Sequence, residues 1–366
     1  MTHESLQNQD WQDVVRKLGG AEAIEAIAKE TKAFLRARVL TSAVDLLRVV
    51  LAYCLGDRGL RATSAWAASI GLVDISDVAL LYRLRNCGNW LTKLIGQVLS
   101  SSAPAATHGR LIRIIDATTV PKAGTAARTQ NKLWRVHAAF DLPGERFGFF
   151  QLTDETGGET LDRAPVVKGE IRMGDRAYLQ PDRIADILDA GGDVLLRAGW
   201  RGARWLDAQG NPVDILEEFR KASERGLIDR LIWIARKSKS ALKMRLVAVK
   251  KPPQAAAEAR RKARLAASKG GNQISNGTLV ACDWVILVTS LPQEAFSTAD
   301  TLALYRLRWR IELAFKRLKS LISLRGPPGI DERSARPFVL AHLLIILLLE
   351  PLIDEFEDSP RLPLAA

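Results

Sequence analysis

Two apolar runs that each end on an aspartate constrain this chain more than any other feature. "LIRII" (111–115) leads into Asp116, and "EIRM" (170–173) leads through Gly174 into Asp175. The first run suits a fully buried central strand, and the glycine before Asp175 permits a close backbone approach. A charge at the end of a buried strand is costly unless it meets water, a partner or a metal ion. The pattern therefore predicts neighbouring strands of an α/β sheet with carboxylates gathered at one end. Taken singly, each acid is also explained as a strand-end turn former.

The remaining texture supports a layered α/β chain. Residues 8 to 102 have apolar positions at three- and four-residue steps and read as helices. Around the "GLVDIS" break, two short helical patterns fit either a helix-turn-helix reader or an ordinary bundle. Ser76 or Asp77 is placed to cap the second of them, which carries Arg83 and Arg85. After "APAATHG" (103–109), a plausible linker, come the strand-like runs "RLIRIIDATTV", "WRVHAAFDL" and "RFGFFQLTD". A short helical stretch around "TLDRAPVV", the strand "EIRMGDRAY" and the helix "QPDRIADILDAGG" follow. "DVLLRAG" then opens a region in which "PVDILEEF", "LIDRLIWIARK" and "MRLVAVKK" read as antiparallel strands. The basic helix "PQAAAEARRKARLAASKGG" and the strand "CDWVILVTSL" close it.

Charge narrows the partner. The chain carries a net charge of +12. Between Arg230 and Lys269 there are 13 Lys and Arg against the single acid Glu258, a concentration that favours a phosphate backbone over a merely solvated basic face. Three cysteines without close spacing argue against a disulfide scaffold or zinc site and fit a reducing cytoplasm. The run at 338–353 is interrupted by His342 and Glu350 and broken by Pro351. It falls short of the ~18 uninterrupted apolar residues of a membrane span and predicts a buried core helix.

The stretch "YRLRWRIELAFKRLK" (305–319) sets one carboxylate, Glu312, among six basic residues. At about 100° per residue, Tyr305, Arg308, Glu312 and Lys319 fall within about 60° of one another on a helix. Leu307, Ile311, Phe315, Leu318 and Ile322 form an adjacent apolar stripe. A plain i,i+4 ion pair explains Arg308 and Glu312 but not the alignment of Tyr305 and Lys319. Two strand-end aspartates plus this glutamate make a hard, oxygen-rich site suited to Mg²⁺ or Mn²⁺.

The spacing Tyr305-(2)-Arg308-(3)-Glu312-(6)-Lys319 resembles, without a gap, the YREK signature of bacterial DDE transposases of the insertion-sequence-four family. "IIDATTV" and "GDRAY" resemble that family's two aspartate blocks. The resemblance implies a ribonuclease-H-like catalytic core with the triad Asp116, Asp175 and Glu312 holding two metal ions, Mg²⁺ or Mn²⁺. It implies that Tyr305 and Lys319 contact the phosphate of a flipped or hairpin-forming terminal nucleotide, that Arg308 orders nearby groups, and that Trp284 takes the space of the flipped base. The domains expected are a helical DNA-binding unit (1–105), a core in two pieces (106–192 and 283–356), a β-rich basic insertion (193–282) and a tail (357–366). The tail leaves no room for the extra C-terminal dimerisation domain of some relatives. The expected partners are double-stranded DNA with terminal inverted repeats and target DNA, engaged by a dimer, with no membrane. Two other functions stay open: an inactive DNA-end-binding remnant, and a nuclease of the same fold without strand transfer.

Overall fold

Alternation of side chains across strands assigns the two faces of the central sheet. Ile114, Leu195, Val247 and Leu287 enter one apolar core, while their neighbours Ile115, Leu196, Leu246 and Val288 enter the other, as the two-residue period of a strand requires. The computed structural model describes residues 3–56, 58–101, 110–121, 133–142, 146–237, 239–309, 311–312 and 331–356.

The helices α1 (His3–Lys17), α2 (Gly20–Glu30), α3 (Ala43–Leu55), α4 (Leu60–Ser69), α5 (Asp77–Arg85) and α6 (Gly88–Ser101) come first. Local signals fix their starts. Ser42 caps α3 by accepting from the Asp45 amide, and Ser76 caps α5 by accepting from the Ala79 amide at 3.2 Å. α12 (Glu332–Phe356) packs on α3, α5 and α6. Val339, Leu343 and Leu344 have no exposed surface, so the 338–353 run is a core helix as expected. Among the described residues no helix is long and apolar enough to cross a membrane.

The sheet has nine strands in the order β3-β2-β1-β4-β5-β9-β8-β7-β6. These are β1 (Ile112–Pro121), β2 (Leu133–Leu142), β3 (Arg146–Asp154), β4 (Ile171–Gly174), β5 (Asp193–Arg197), β6 (Trp205–Leu206), β7 (Leu227–Arg236), β8 (Lys239–Lys250) and β9 (Trp284–Thr289). β1 is antiparallel to β2 and parallel to β4, and β4 is parallel to β5 across the helix α7 (Pro181–Asp189). β5, which the sequence places at the start of the insertion, is bonded between β4 and β9. The ribbon β7–β8 joins the same sheet through β9. Beside it lie α9 (Pro253–Lys269), the expected basic helix, and α10 (Asn276–Cys282).

Three local readings are corrected. "PVDILEEF" is not a strand: Ile215–Lys221 is a helix, α8, whose N-cap Asp214 accepts from the Leu216 amide. Glu217 and Glu218 stand in its first turn and Arg220 and Lys221 in its last, the order a helix dipole favours. Around "TLDRAPVV" there is only one 3₁₀ turn, Leu161–Arg163. Ala164 is extended (φ −82°, ψ 138°), as the residue before Pro165 prefers. The strand of "EIRMGDRAY" stops at Gly174, because the Asp175 carboxylate caps a 3₁₀ turn at Arg176–Tyr178.

Buried ion pairs fasten the layers. Arg113 grips Asp141 through two bonds of 2.7 and 2.6 Å and also reaches Glu170, which binds Arg172. Arg172 donates in turn to the carbonyls of Leu161, Ala164 and Pro165. A second clamp joins β7 and β8 to the start of α11 (Thr298–Arg306). Arg245 holds Asp229 at 2.8 and 2.6 Å and donates to the Phe296 carbonyl at 2.7 Å, while the Thr298 hydroxyl donates to Asp229.

Candidate active site

Parallel register brings the strand-end charges together. Ile114 pairs with Met173 and Gly174 with Leu196. Counting on along the three strands sets Asp116, Asp175 and Arg197 in one row, on adjacent strands about 4.8 Å apart. The glycine before Asp175 has the predicted use: a Cβ at Gly174 would lie 3.0 Å from the Tyr178 side chain. Asp175 accepts from the Ala177 amide at 2.8 Å.

Asp116 is ionised at a cost. Burial raises its pKa to about 6; the Ala117 amide and Arg308 work the other way, while Asp175 and Glu159 add repulsion. Tyr178 belongs to the same cluster. Burial and then the carboxylates of Asp116, Glu159 and Asp175 push its pKa far up. Its hydroxyl is buried with no hydrogen-bond partner among the described residues. Glu159 is itself paired with Arg135, at 3.6 Å.

α11 supplies the next residues. Its capping box, formed by Ser297 and Asp300, starts it at Thr298. The expected unbroken helix through residue 305 onward is tightened: α11 ends at Arg306, and the amides of Leu307 and Arg308 bond three residues back, to Leu304 and Tyr305. That is 3₁₀ geometry. Helical backbone resumes at Trp309 and includes Ile311 and Glu312. Ile311 is fully buried, as the apolar stripe predicts.

Tyr305 is buried, and its pKa is raised by burial, with Arg308 and Arg197 offsetting part of the rise. Burial opposes the charge on Arg308, but Tyr305, Glu312 and Asp116 hold it and raise its pKa. Arg308 donates to Glu312 in an i,i+4 ion pair. Glu312 is thus turned to Arg308, and among the described residues no three His, Cys, Asp or Glu side chains form a metal-holding group. Lys319 lies outside the described residues.

Trp284 stands on β9, the strand that precedes α11. Only 3% exposed, it stacks on Phe219 with ring centroids 4.9 Å apart and planes 10° apart. Its position at the start of β9 commits the ring to the second core.

Besides Glu159 and Tyr178, the sequence reading missed three basic residues here. Burial lowers the pKa of Arg197, and Arg176 lowers it further; Arg308 acts the same way. Lys251 donates to the Cys282 carbonyl at 2.6 Å, and burial, then Arg197, lowers its pKa. Arg197 carried a usable signal, since it ends the apolar strand "DVLLR" just as Asp116 ends "LIRII".

Comparison with known proteins decides the family. The family model described as "Transposase DDE domain" matches residues 107–347. The chain is 33% identical over 358 residues to a protein of Escherichia coli (strain K12) named as transposase InsL for insertion sequence element IS186A, covering 96% of each chain. It is also 33% identical over 359 residues to the Escherichia coli transposase for insertion sequence element IS421, again with 96% of each covered. The chain belongs to the DDE transposase family. A DDE transposase cleaves and transfers nucleic acid, and domains of this type use divalent metal ions. In this transposase the chemistry of the donors fits a hard cation. Asp116 and Asp175 offer carboxylate oxygens side by side, and the burial that chiefly raises the Asp116 pKa, together with the repulsion from Asp175 and Glu159, is a cost that a bound dication would relieve. Glu312 would complete the set by leaving Arg308.

Proposed function

We propose that the protein cleaves DNA at the ends of an insertion sequence and transfers the freed strand to target DNA, through a hairpin intermediate. The observation that carries this reading is the row of Asp116 and Asp175 on parallel strands, with Arg308 linking Asp116 to Glu312. The strand order 3-2-1-4-5, with β1 antiparallel to β2 and parallel to β4, supports a ribonuclease-H-like core. The basic ribbon and helix within 193–282 are the insertion of that core, and 1–105 is the DNA-binding unit. Two copies of the chain hold two ends.

Asp116, Asp175 and Glu312 would hold Mg²⁺ or Mn²⁺, two ions in the full complex. When bound, such a pair supplies Lewis acidity toward the phosphoryl oxygens and a deprotonated oxygen nucleophile at neutral pH. The chain's own residues do the positioning. Arg197 and Arg308 face the phosphate with fixed positive charge, and the buried Tyr305 stands with them. Lys319 adds a further phosphate contact. Trp284 serves the displaced base only if its stack with Phe219 opens, so its role is the most demanding of the set.

The test is cleavage and joining of a labelled duplex carrying the element's own end, with Mg²⁺ or EDTA, beside Asp116→Ala. Metal-dependent nicking, hairpin and joined product, all lost in the variant, are expected. Nicking without joining would reduce the reading to a nuclease. Specific binding with no metal-dependent product would reduce it to an end-binding protein.

A further inference from the structure

The helical part of the protein before β1 presents an unusual surface. The 31–42 loop and α5 enclose a groove of about 380 Å³, lined by Lys32, Arg36, Arg38, Tyr82, Arg83 and Asn86 among others. No carboxylate lines it, and none of Lys32, Arg36, Arg38 or Arg83 has an acidic partner among the described residues. Other surface cations nearby are neutralised: Lys93 by Glu30, Arg61 by Asp77 and Arg85 by Asp331. The groove is therefore a local excess of positive charge.

Apolar side chains flank these cations. Leu35, Val39, Val78 and Tyr82 are each 58–64% exposed, the four most exposed large apolar side chains described. Val78 and Tyr82 stand one turn apart on α5, so they share a face of that helix. The loop is held in shape rather than loose. Arg83 donates to the Arg36 carbonyl at 3.3 Å and lies over the Phe34 ring at 5.4 Å, and Lys32 adopts a left-handed φ of 60°. A non-glycine residue takes that conformation only where the surroundings enforce it.

We propose that this surface docks on duplex DNA, with the exposed face of α5 in the major groove and the 32–38 loop on the flanking phosphates. The inference rests on the reading that DNA is the substrate, and it assigns an end-binding surface away from the aspartates. A helix about 10–12 Å across fits a major groove about 12 Å wide. Val78 and Tyr82 then meet base edges, where thymine methyls offer apolar contact, and the four cations meet phosphates. Docking of a second copy through this face would instead set like charges against each other, which opposes association.

The experiment uses the full chain and fluorescence anisotropy with two labelled duplexes: one from the end of the element that encodes the protein, and a scrambled one of equal length. Arg36→Gln combined with Arg38→Gln should weaken binding to both duplexes and reduce the slope of log K against log salt by about 2. Val78→Ser combined with Tyr82→Ser, at exposed positions, should leave the salt slope unchanged and cut the preference for the end duplex roughly tenfold. An unaltered slope in the arginine variant, or an unaltered preference in the apolar one, overturns the assignment. So does a variant that binds both duplexes normally but sediments as a smaller species, which would make the face a self-association surface. If the wild-type chain binds through these residues but yields no metal-dependent cleavage, the surface stands and the cleavage reading falls.

Discussion

Asp116 should weaken the metal-free protein that depends on it for chemistry. Its pKa rises from 3.8 to about 6 in the folded chain, a difference worth about 3 kcal/mol between the protonated and ionised forms. The sign follows from proton binding. Between those two values the folded state holds the proton more tightly than the unfolded chain, so stability on this account is greatest below pH 3.8 and is lost as pH rises through about 6. Asp116→Asn removes the charge while its amide oxygen can still accept from Ala117. At pH 8 in EDTA the variant should gain up to about 3 kcal/mol, which for a chain of this length is about 4 °C in midpoint. The gain should vanish at acid pH. Added Mg²⁺ should raise the wild-type midpoint and leave the variant's almost unmoved, while cleavage is lost in the variant. Differential scanning fluorimetry of both proteins at pH 4 and pH 8, with and without Mg²⁺, measures this. A variant less stable than wild type at pH 8 without metal would refute the reasoning, because Asp116 would then be a net stabilising charge.

Gly148→Ala should destabilise by about 3 kcal/mol or more, since its Cβ would stand 2.0 Å from an Asp141 carboxylate oxygen and displace the buried pair with Arg113; a midpoint within a degree of wild type in thermal unfolding would argue otherwise. Arg245→Met, which strands the buried Asp229, should cost about 3–5 kcal/mol and also slow cleavage by loosening the start of α11. Combining it with Asp229→Leu should restore much of the midpoint but not the cleavage rate, because the tie to Thr298 stays broken; full recovery of rate would show that the clamp acts through stability alone. Glu312→Gln should abolish cleavage and leave end binding largely intact, and an equal collapse of binding in the anisotropy assay would make Glu312 a structural residue.

The residues most legible in the sequence were those whose cost shows locally. An aspartate closing "LIRII" or following "EIRMG" is conspicuous because a buried strand has no use for it, and parallel register does place the two side by side. Arg197 obeys the same rule with the opposite sign, so a search restricted to carboxylates passed over it. Glu159 gave no such warning. It sits in the glycine-rich loop "DETGGET", and only folding brings its charge to Asp116 and Tyr178. α8 was misread because seven residues are too few for periodicity to separate a helix from a strand, although Asp214, Glu217 and Glu218 spelled a helix start. Trp284 could be placed on a strand from spacing, but which face it joins depends on Phe219, more than sixty residues earlier.

The central sheet holds its buried polar groups in two different ways. In the sheet away from the aspartates two buried ion-pair groups are well engaged: Arg113, Asp141, Glu170 and Arg172 form one connected network, and Arg245 answers Asp229 twice. At the row of strand ends the accounting changes. The Tyr178 hydroxyl and the Arg197 Nε are buried with no hydrogen-bond partner among the described residues, and the buried Tyr305 hydroxyl has Arg308 beside it. Each such group forfeits about 1–3 kcal/mol, and Asp116 adds its own cost of ionisation. Buried donors are normally paired, so two of them beside two crowded carboxylates are consistent with a place shaped for a ligand. Under the proposed function a phosphate would accept from Tyr305 and Arg197, and a dication would answer Asp116 and Asp175. The cost of burying these groups and the affinity for what they would bind are then the same interactions, measured from opposite sides.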